Sequence, residues 1–426
     1  MHYDIVIVGG GAGGLELAAR MGRKLGRRRG TEKILLIDRS VFHIWKPTLH
    51  EVAAGTLDTH QEGLGYPILA RRNHFSFTLG EMTGLDVAGR RLTLKAMTGE
   101  DGRELAPERS ITFTWCVLAI GGGANLFGTR GAEQAWLLEN TADAERFHNH
   151  LLAAFTRASF SAERALSIAI VGGGATGVEL SAELIEAHNE LDQGLSKDQR
   201  FRLDITILEA ADRILGQLPE KISSQAQLAL ERKGVRVMTG AKVLEIADDR
   251  VVSSLGDVPA AIIVWAAGVK AAYSNAGLGL ETNRLNQIVV TDHLETSATG
   301  IWAMGDCAAA PWKDGRTVPA RAQAAHQQAD YLARVLLAHL DEKRHEPPFV
   351  YRDFGSLVSL GESRGVGSLM GGLGGPNFFI EGLVAKWLYM SLHLSHHRAI
   401  LGTGKTIVLA LARLLQERVS GRLKLH

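Results

Sequence analysis

The residues whose types and spacing carry the clearest chemical meaning in this 426-residue chain occur twice. Residues 7–17 read IVGGGAGGLEL, and residues 170–180 read IVGGGATGVEL. Each is a G-x-G-x-x-G turn, formed by Gly9, Gly11 and Gly14 in the first copy and by Gly172, Gly174 and Gly177 in the second. In such a turn the first glycine permits a tight reversal and the second lets the backbone approach a pyrophosphate. The third lets the following helix pack closely on the strand. The free N–H groups and positive dipole end of that helix then face the phosphates. An acid closing the next strand would hold an adenosine ribose. KILLIDRS supplies Asp38 and DITILEAA supplies Glu209. A carboxylate there favours a free 2′-hydroxyl, hence NADH over NADPH, although Arg213 lies near the second acid.

This chemistry needs a strand before each turn and a helix after it. Residues 5–8 (IVIV) and 168–171 (IAIV) are apolar without alternation, as in parallel strands covered on both faces. Alanine-rich amphipathic helices are expected from Leu15 and from Val178. Both acids lie beyond the minimal ~20 residues because the intervening segments are long; GRKLGRRRG pads the first, and GRRRG (26–30) is expected as a solvated loop. One such motif alone could be a decayed duplicate that binds nothing. Strand, helix and terminal acid in both copies argue that two dinucleotides are held at once, one reducing the other.

The length favours two or three domains, and 46% hydrophobic with 22% charged residues is an ordinary globular composition. With 47 basic against 46 acidic residues, the chain lacks the basic surplus on which nucleic-acid affinity rests. The charge is uneven, however. From residue 383 onward there are seven basic residues and one acidic, so a tail of +6 follows a body of −5. Cys116 and Cys307 make no disulfide framework and suit a reducing compartment. The opening MHYDIVIVGGG leads straight into a strand and leaves no room for a signal peptide. No apolar run reaches the ~18–20 residues of a spanning helix.

Further segments resemble the two-dinucleotide flavoproteins, in which FAD occupies the first turn and NAD(P)H the second. TSATGIWAMGDCA (296–308) is similar to their late FAD motif, and VLAIGG (117–122) and VWAAGV (264–269) to the crossovers between their domains. Ile120 stands where the first crossover usually carries threonine. Within that group, HIWKPTLHEVAAGTLD (43–58), VPARAQAAHQQA (318–329), GSLVSLGESRGVGSLMG (355–371) and the terminal RLKLH resemble the bacterial type II NADH:quinone oxidoreductases, single-subunit respiratory enzymes that pump no protons.

The resemblance implies an α/β fold with two Rossmann-like domains and a C-terminal amphipathic helical region for membrane association. Residues 1–125 and 285–335 would form the FAD domain, 126–284 the NADH domain (its core from about 165) and 336–426 the C-terminal domain. It implies non-covalent FAD, NADH as co-substrate and no metal; a hydride passes to FAD and two electrons go on to a membrane quinone. FAD contacts would come from Ala12, Gly13, Arg39, Lys46, Gly305, Asp306, Ala322 and Gln323 beside the first turn and acid. NADH contacts would come from Thr176 and Gly268 beside the second. Lys46 and Lys386 are candidate cations near the flavin, against the plainer reading of surface lysines.

The family's A-Q-x-A-x-Q motif falls on Ala322, Gln323, Ala325 and Gln327. Gln323 and Gln327 are four apart and share a helix face. An uncharged amide can bond a quinone carbonyl without placing a charge in an apolar slot; the bland reading is a solvated glutamine face. His326 between them reads as structural or solvent-facing. Glu179 matches a glutamate placed between nicotinamide and flavin, although a carboxylate in a helix's first turn also serves the helix itself.

The tail forms two helical stretches, about 383–400 and 405–419, separated by GTG. Apolar residues beside basic ones suit helices lying in a membrane surface; the resemblance implies the cytoplasmic face of a bacterial inner membrane. Packing on the body or on a partner in a homodimer is the alternative. His393, His396 and His397 read as interfacial rather than metal-binding, because the sequence places no carboxylate or cysteine beside them. Disulfide and sulfide:quinone reductases need paired cysteines next to the flavin, and none follows Asp38. Ferredoxin-type reductases lack such a tail. A non-enzymatic, FAD-bound membrane protein that senses NADH is the remaining alternative.

Overall fold

A computed structural model describes residues 1–99, 101–342, 346–361, 365–369, 378–381 and 383–420. The first apolar run lies in β1 (His2–Val8), followed by α1 (Ala12–Lys33) and β2 (Ile34–Asp38). β1 pairs in parallel with β2 on one side and with β3 (Arg109–Leu118) on the other. Strand Ser76–Leu79 extends the sheet beyond β2, while Arg91–Leu94 and Met82–Asp86 extend it beyond β3 in antiparallel fashion. Residues 5–8 are at most 4% exposed, as an unalternating apolar run requires.

The second apolar run lies in β4 (Ala165–Val171), followed by α2 (Ala175–Gly194) and β5 (Arg202–Leu208). β4 pairs in parallel with β5 and with β6 (Ile262–Trp265), inside a five-stranded, all-parallel sheet. The chain then returns to the first sheet: β7 (Ile301–Ala303) pairs with β3, and α3 (Ala322–Leu340) packs along α1. The two stretches read as crossovers meet, with Gly123–Ala124 pairing antiparallel to Val269–Lys270. A three-stranded antiparallel sheet over 355–381 leads to α4 (Leu383–Leu401) and α5 (Thr403–Ser420).

Two expectations need correction. The helices begin at Ala12 and Ala175, not at Leu15 and Val178, so the third glycine of each turn already lies in the first helical turn. GRRRG is not a loop, since α1 runs through it with a single break at Gly26 (φ 75°). The reason is contact: a Cβ at Gly30 would stand 2.1 Å from the His74 carbonyl oxygen, so this arm presses directly on the neighbouring backbone. Among the described residues no helix is long and apolar enough to cross a membrane.

Candidate active site

The two sheets deliver their glycine turns to one cleft of ≈ 1070 Å³. The turns are built alike, bond for bond. Gly9 (φ 102°) and Gly172 (φ 111°) occupy the left-handed region that favours glycine. Their N–H groups donate to Ile37 and Leu208, each over 2.8 Å. A Cβ at Gly14 would meet the Gly9 carbonyl oxygen at 1.9 Å, and one at Gly177 would meet that of Gly172 at 2.0 Å. At Gly11 and Gly174 an added Cβ would meet nothing within 4 Å. Each helix therefore opens on free space at the cleft wall.

The acids are bonded alike, although Glu209 lines the cleft and Asp38 does not. Asp38 Oδ2 accepts from Gly10 N at 2.6 Å, and Oδ1 from Ser40 N at 2.8 Å. Glu209 Oε2 accepts from Gly173 N at 2.7 Å, and Oε1 from Ala211 N at 2.8 Å. Each carboxylate oxygen keeps lone-pair capacity for a further donor. The first turn has extra support: the Gly10 carbonyl accepts from the Tyr66 hydroxyl at 2.7 Å, with His43 Nδ1 at 3.1 Å.

Ala12, Gly13, Lys46, Gly305, Asp306, Ala322 and Gln323 line the cleft with the first turn, and Thr176, Glu209 and Gly268 line it with the second. Arg39 is exposed and does not reach it. Burial raises the Asp306 carboxyl pKa, an effect that Lys46 opposes. Lys46 donates to the Gly122 carbonyl at 2.8 Å and so points inward from the cleft rim. The Lys386 side chain lies outside the described residues, as do RLKLH and much of the 355–371 stretch. No sequence pattern marks Gln328, which is 1% exposed and accepts from Gly305 N at 2.7 Å, anchoring the turn that carries Asp306.

Glu179 lies at the cleft wall, 6% exposed. Its Oε1 accepts from Ser359 N at 3.0 Å, and Oε2 is 3.6 Å from His50 Nδ1. Burial raises its pKa to about 7, against the opposing pull of His50 and the Ser359 N–H. Tyr389 of α4 closes the wall; its hydroxyl is buried and has no partner among the described residues. His50, Ser359 and Tyr389 are distant in sequence, and no local pattern marks them.

Gln323 and Gln327 do share a face of α3, but the segment after α3 covers it. The Gln323 carbonyl oxygen accepts from the Tyr351 hydroxyl at 2.7 Å and from Phe354 N at 3.3 Å. Gln327 gives 2.8 Å to the Arg352 carbonyl and takes 3.0 Å from its N–H, pairing like a strand residue. Only Gln323 lines the cleft, so the expected matched pair is a single glutamine and a backbone clamp. His326 bonds Glu16 at 2.6 Å; Glu16 is fully buried and also bonds Arg20 at 2.6 Å, which a buried carboxylate requires. His326 is structural.

The histidine cluster is not interfacial. His396 and His397 are 5% exposed, and α4 docks them on the body. His396 Nε2 is 2.8 Å from His43 Nε2, and His393 stacks on Trp45 with ring centroids 5.0 Å apart. Burial lowers the pKa of His43 to about 4, so the rings meet as neutral donor and acceptor. The tail thus reaches the first glycine turn through His43. Cys116 and Cys307 are both buried free thiols, and Cys307 Sγ lies 3.1 Å from the Met304 carbonyl oxygen. Burial raises both thiol pKa values, leaving them unreactive.

The sequence profile of the pyridine nucleotide-disulphide oxidoreductase family matches residues 3–329. The chain is 38% identical to the type II NADH:quinone oxidoreductase of Haemophilus influenzae, over 99% of this chain and 100% of that protein. It is 27% identical to that of Mycobacterium tuberculosis, over 93% and 84%. The fold superposes on NDH2 from Plasmodium falciparum, solved in complex with NADH, with a TM-score of 0.82 at 18% identity, covering 99% of both chains. A ferredoxin reductase from Rhodopseudomonas palustris matches less closely, at a TM-score of 0.65 and 22% identity over 86% of this chain and 82% of that one. With two mirrored dinucleotide turns on one cleft and relatives of this kind over its full length, the chain belongs to the type II NADH:quinone oxidoreductases, within the pyridine nucleotide-disulphide oxidoreductase family.

Proposed function

We propose that this chain oxidises NADH and reduces a membrane quinone, with FAD held non-covalently on the first turn and NADH on the second. The observation that carries the reading is the pair of turns, each with its acid bonded alike and each open at its second glycine, facing one cleft. The space at Gly11 fits a pyrophosphate, and the half-buried Asp306 beside Lys46 fits the polar stem of a flavin. Residues 1–125 and 285–335 would hold FAD, and 126–284 NADH. When bound there, FAD would supply the two-electron chemistry that links NADH to the quinone.

The residues supply position. Asp38 and Glu209 accept from ribose hydroxyls, and the N-termini of α1 and α2 face the phosphates. Thr176 and Gly268 border the NADH side. Glu179 holds a carboxyl at the wall where the nicotinamide carboxamide can donate to it. Gln323 offers its amide N–H to a quinone carbonyl while Tyr351 fixes its other end. Steady-state kinetics with a soluble quinone analogue test this placement. Gln323→Leu is expected to raise the quinone KM about tenfold, roughly 1.4 kcal/mol, and to leave the NADH KM unchanged. Gln327→Ala is expected to change neither; an equal loss in both variants contradicts the placement.

The quinone is lipid-soluble, and α5 supports a membrane seat at the cytoplasmic face. Ile407, Val408, Leu411 and Leu415 lie on one side of that helix, each 55–67% exposed. Arg413 is on the opposite side, paired with Glu51 and Glu62 of the body, so it is not one of the lipid-facing cations. Exposed Arg398 and Lys405 remain for anionic headgroups. Glutamate at Val408, Leu411 and Leu415 together is expected to weaken flotation with anionic vesicles by about 100-fold. If the triple variant instead floats unchanged and sediments as a smaller species, that face belongs to a homodimer.

A further inference from the structure

We propose that Glu62, His393 and His397 form a site for a divalent transition metal, zinc by their donor chemistry, at the seam between the body and α4. One ligand atom of each residue lies within 4.8 Å of the other two, a span that three ligands on a common ion close at ~2.0–2.2 Å. His393 and His397 are four apart on α4, the spacing with which a helix turns two imidazoles toward one ion. Glu62 comes from the body, at the end of the short helix Thr59–Glu62, and supplies the carboxylate that the sequence does not place beside the histidines.

The supporting contacts suit ligation. His397 Nδ1 is 3.1 Å from the His393 carbonyl oxygen, so Nδ1–H donates and Nε2 keeps its lone pair. A backbone carbonyl behind the imidazole is how a metal-bound histidine is usually held. Trp45 stacks on His393 and restrains its ring. Two nitrogens and one carboxylate favour zinc over magnesium or calcium, with a fourth position left for water.

The place already attracts a cation. Arg413 of α5 sits 3.4 Å from His393 Nδ1 and 3.6 Å from Glu62 Oε1, and its second terminal nitrogen is 3.4 Å from Glu51. These are long contacts for a guanidinium, which is a weak competitor for an ion bonding at ~2.1 Å. Metal binding displaces Arg413 from Glu62 and His393, and so ties occupancy of the site to the seat of α5. The inference is independent of the redox reading, because none of the three ligands lines the cleft.

The test titrates Zn²⁺ against a chromophoric chelator, using the full-length flavin-loaded protein with any affinity tag removed. One zinc per chain is expected. Glu62→Gln, His393→Ala and His397→Ala should each weaken binding at least about tenfold. Arg413→Gln should strengthen it severalfold by removing the competing cation. Absence of stoichiometric binding overturns the proposal, as does wild-type affinity in the three ligand variants. If His397→Ala disturbs α4, as judged by its thermal midpoint, Glu62→Gln on the body decides.

Discussion

Valine in place of Gly174 is expected to give a protein that remains yellow but whose flavin absorbance NADH no longer bleaches. Valine in place of Gly11 is expected to give a colourless one. The backbone makes both substitutions mild for the fold. Gly11 has φ −60° and ψ −172°, and Gly174 has φ −73° and ψ −176°, extended conformations open to any residue. An added Cβ meets no protein atom within 4 Å at either place. The side chain therefore enters only the space proposed for phosphates and screens the N–H groups at the helix start. A loss of at least about 100-fold in nucleotide affinity, ~2.7 kcal/mol, is expected on the substituted side alone. Gly14 and Gly177 would make poor tests, because a Cβ there strikes a carbonyl oxygen and would damage the fold as well. Absorbance spectra of the purified variants and their response to NADH read the outcome. Loss of colour in both variants would mean that the turns are not separately assigned.

Glu179 carries the second large effect. Its buried carboxyl has a pKa of about 7, against an ordinary 4.5. The folded state thus holds a proton more tightly than the unfolded chain does. The favourable contribution is fully present below pH 4.5 and is lost as pH rises through 7, after which it changes no further. A shift of this size corresponds to roughly 3 kcal/mol. Glu179→Gln, which cannot ionise, should lack that decline. Urea midpoints of wild type and variant should therefore diverge in the variant's favour between pH 4.5 and 7. Parallel curves would show that the carboxyl ionises as freely in the fold as in water.

The glycine turns and Glu179 also show what the sequence makes legible. The glycine turns are local: strand, reversal and helix follow each other, and each glycine answers to atoms a few residues away or to the adjoining strand end. Asp38 and Glu209 belong to the same local unit, so both halves of the cleft could be read before any packing was known. Glu179 could be located by its distance from Gly177, but its raised pKa could not. The rise comes from burial by segments remote in sequence, against the opposing pull of His50 and the Ser359 N–H.

The glutamine helix and the tail are only partly legible, for related reasons. Helical spacing puts Gln323 and Gln327 on one face correctly, yet it cannot say that residues 351–354 cover that face and engage Gln327. The same periodicity gives α4 an apolar side with clustered histidines, without revealing that Trp45 and His43 lie beneath it. In α5 the sequence counts Arg413 with the other cations, while the fold turns it inward to Glu51 and Glu62. The apolar side of α5 stays exposed. GRRRG likewise looks like a loop until the backbone at His74 is found against Gly30.

The central claim is that one cleft joins a pyridine nucleotide to a quinone through a bound flavin. Anaerobic sequential-mixing spectroscopy tests it most directly. One equivalent of NADH is mixed with the purified protein, and a quinone is added after the flavin absorbance has fallen. The account predicts a full loss of the absorbance and its full return, with one quinone reduced per NADH consumed. An absorbance that NADH leaves unchanged, or one that falls and is not restored by quinone, would contradict it.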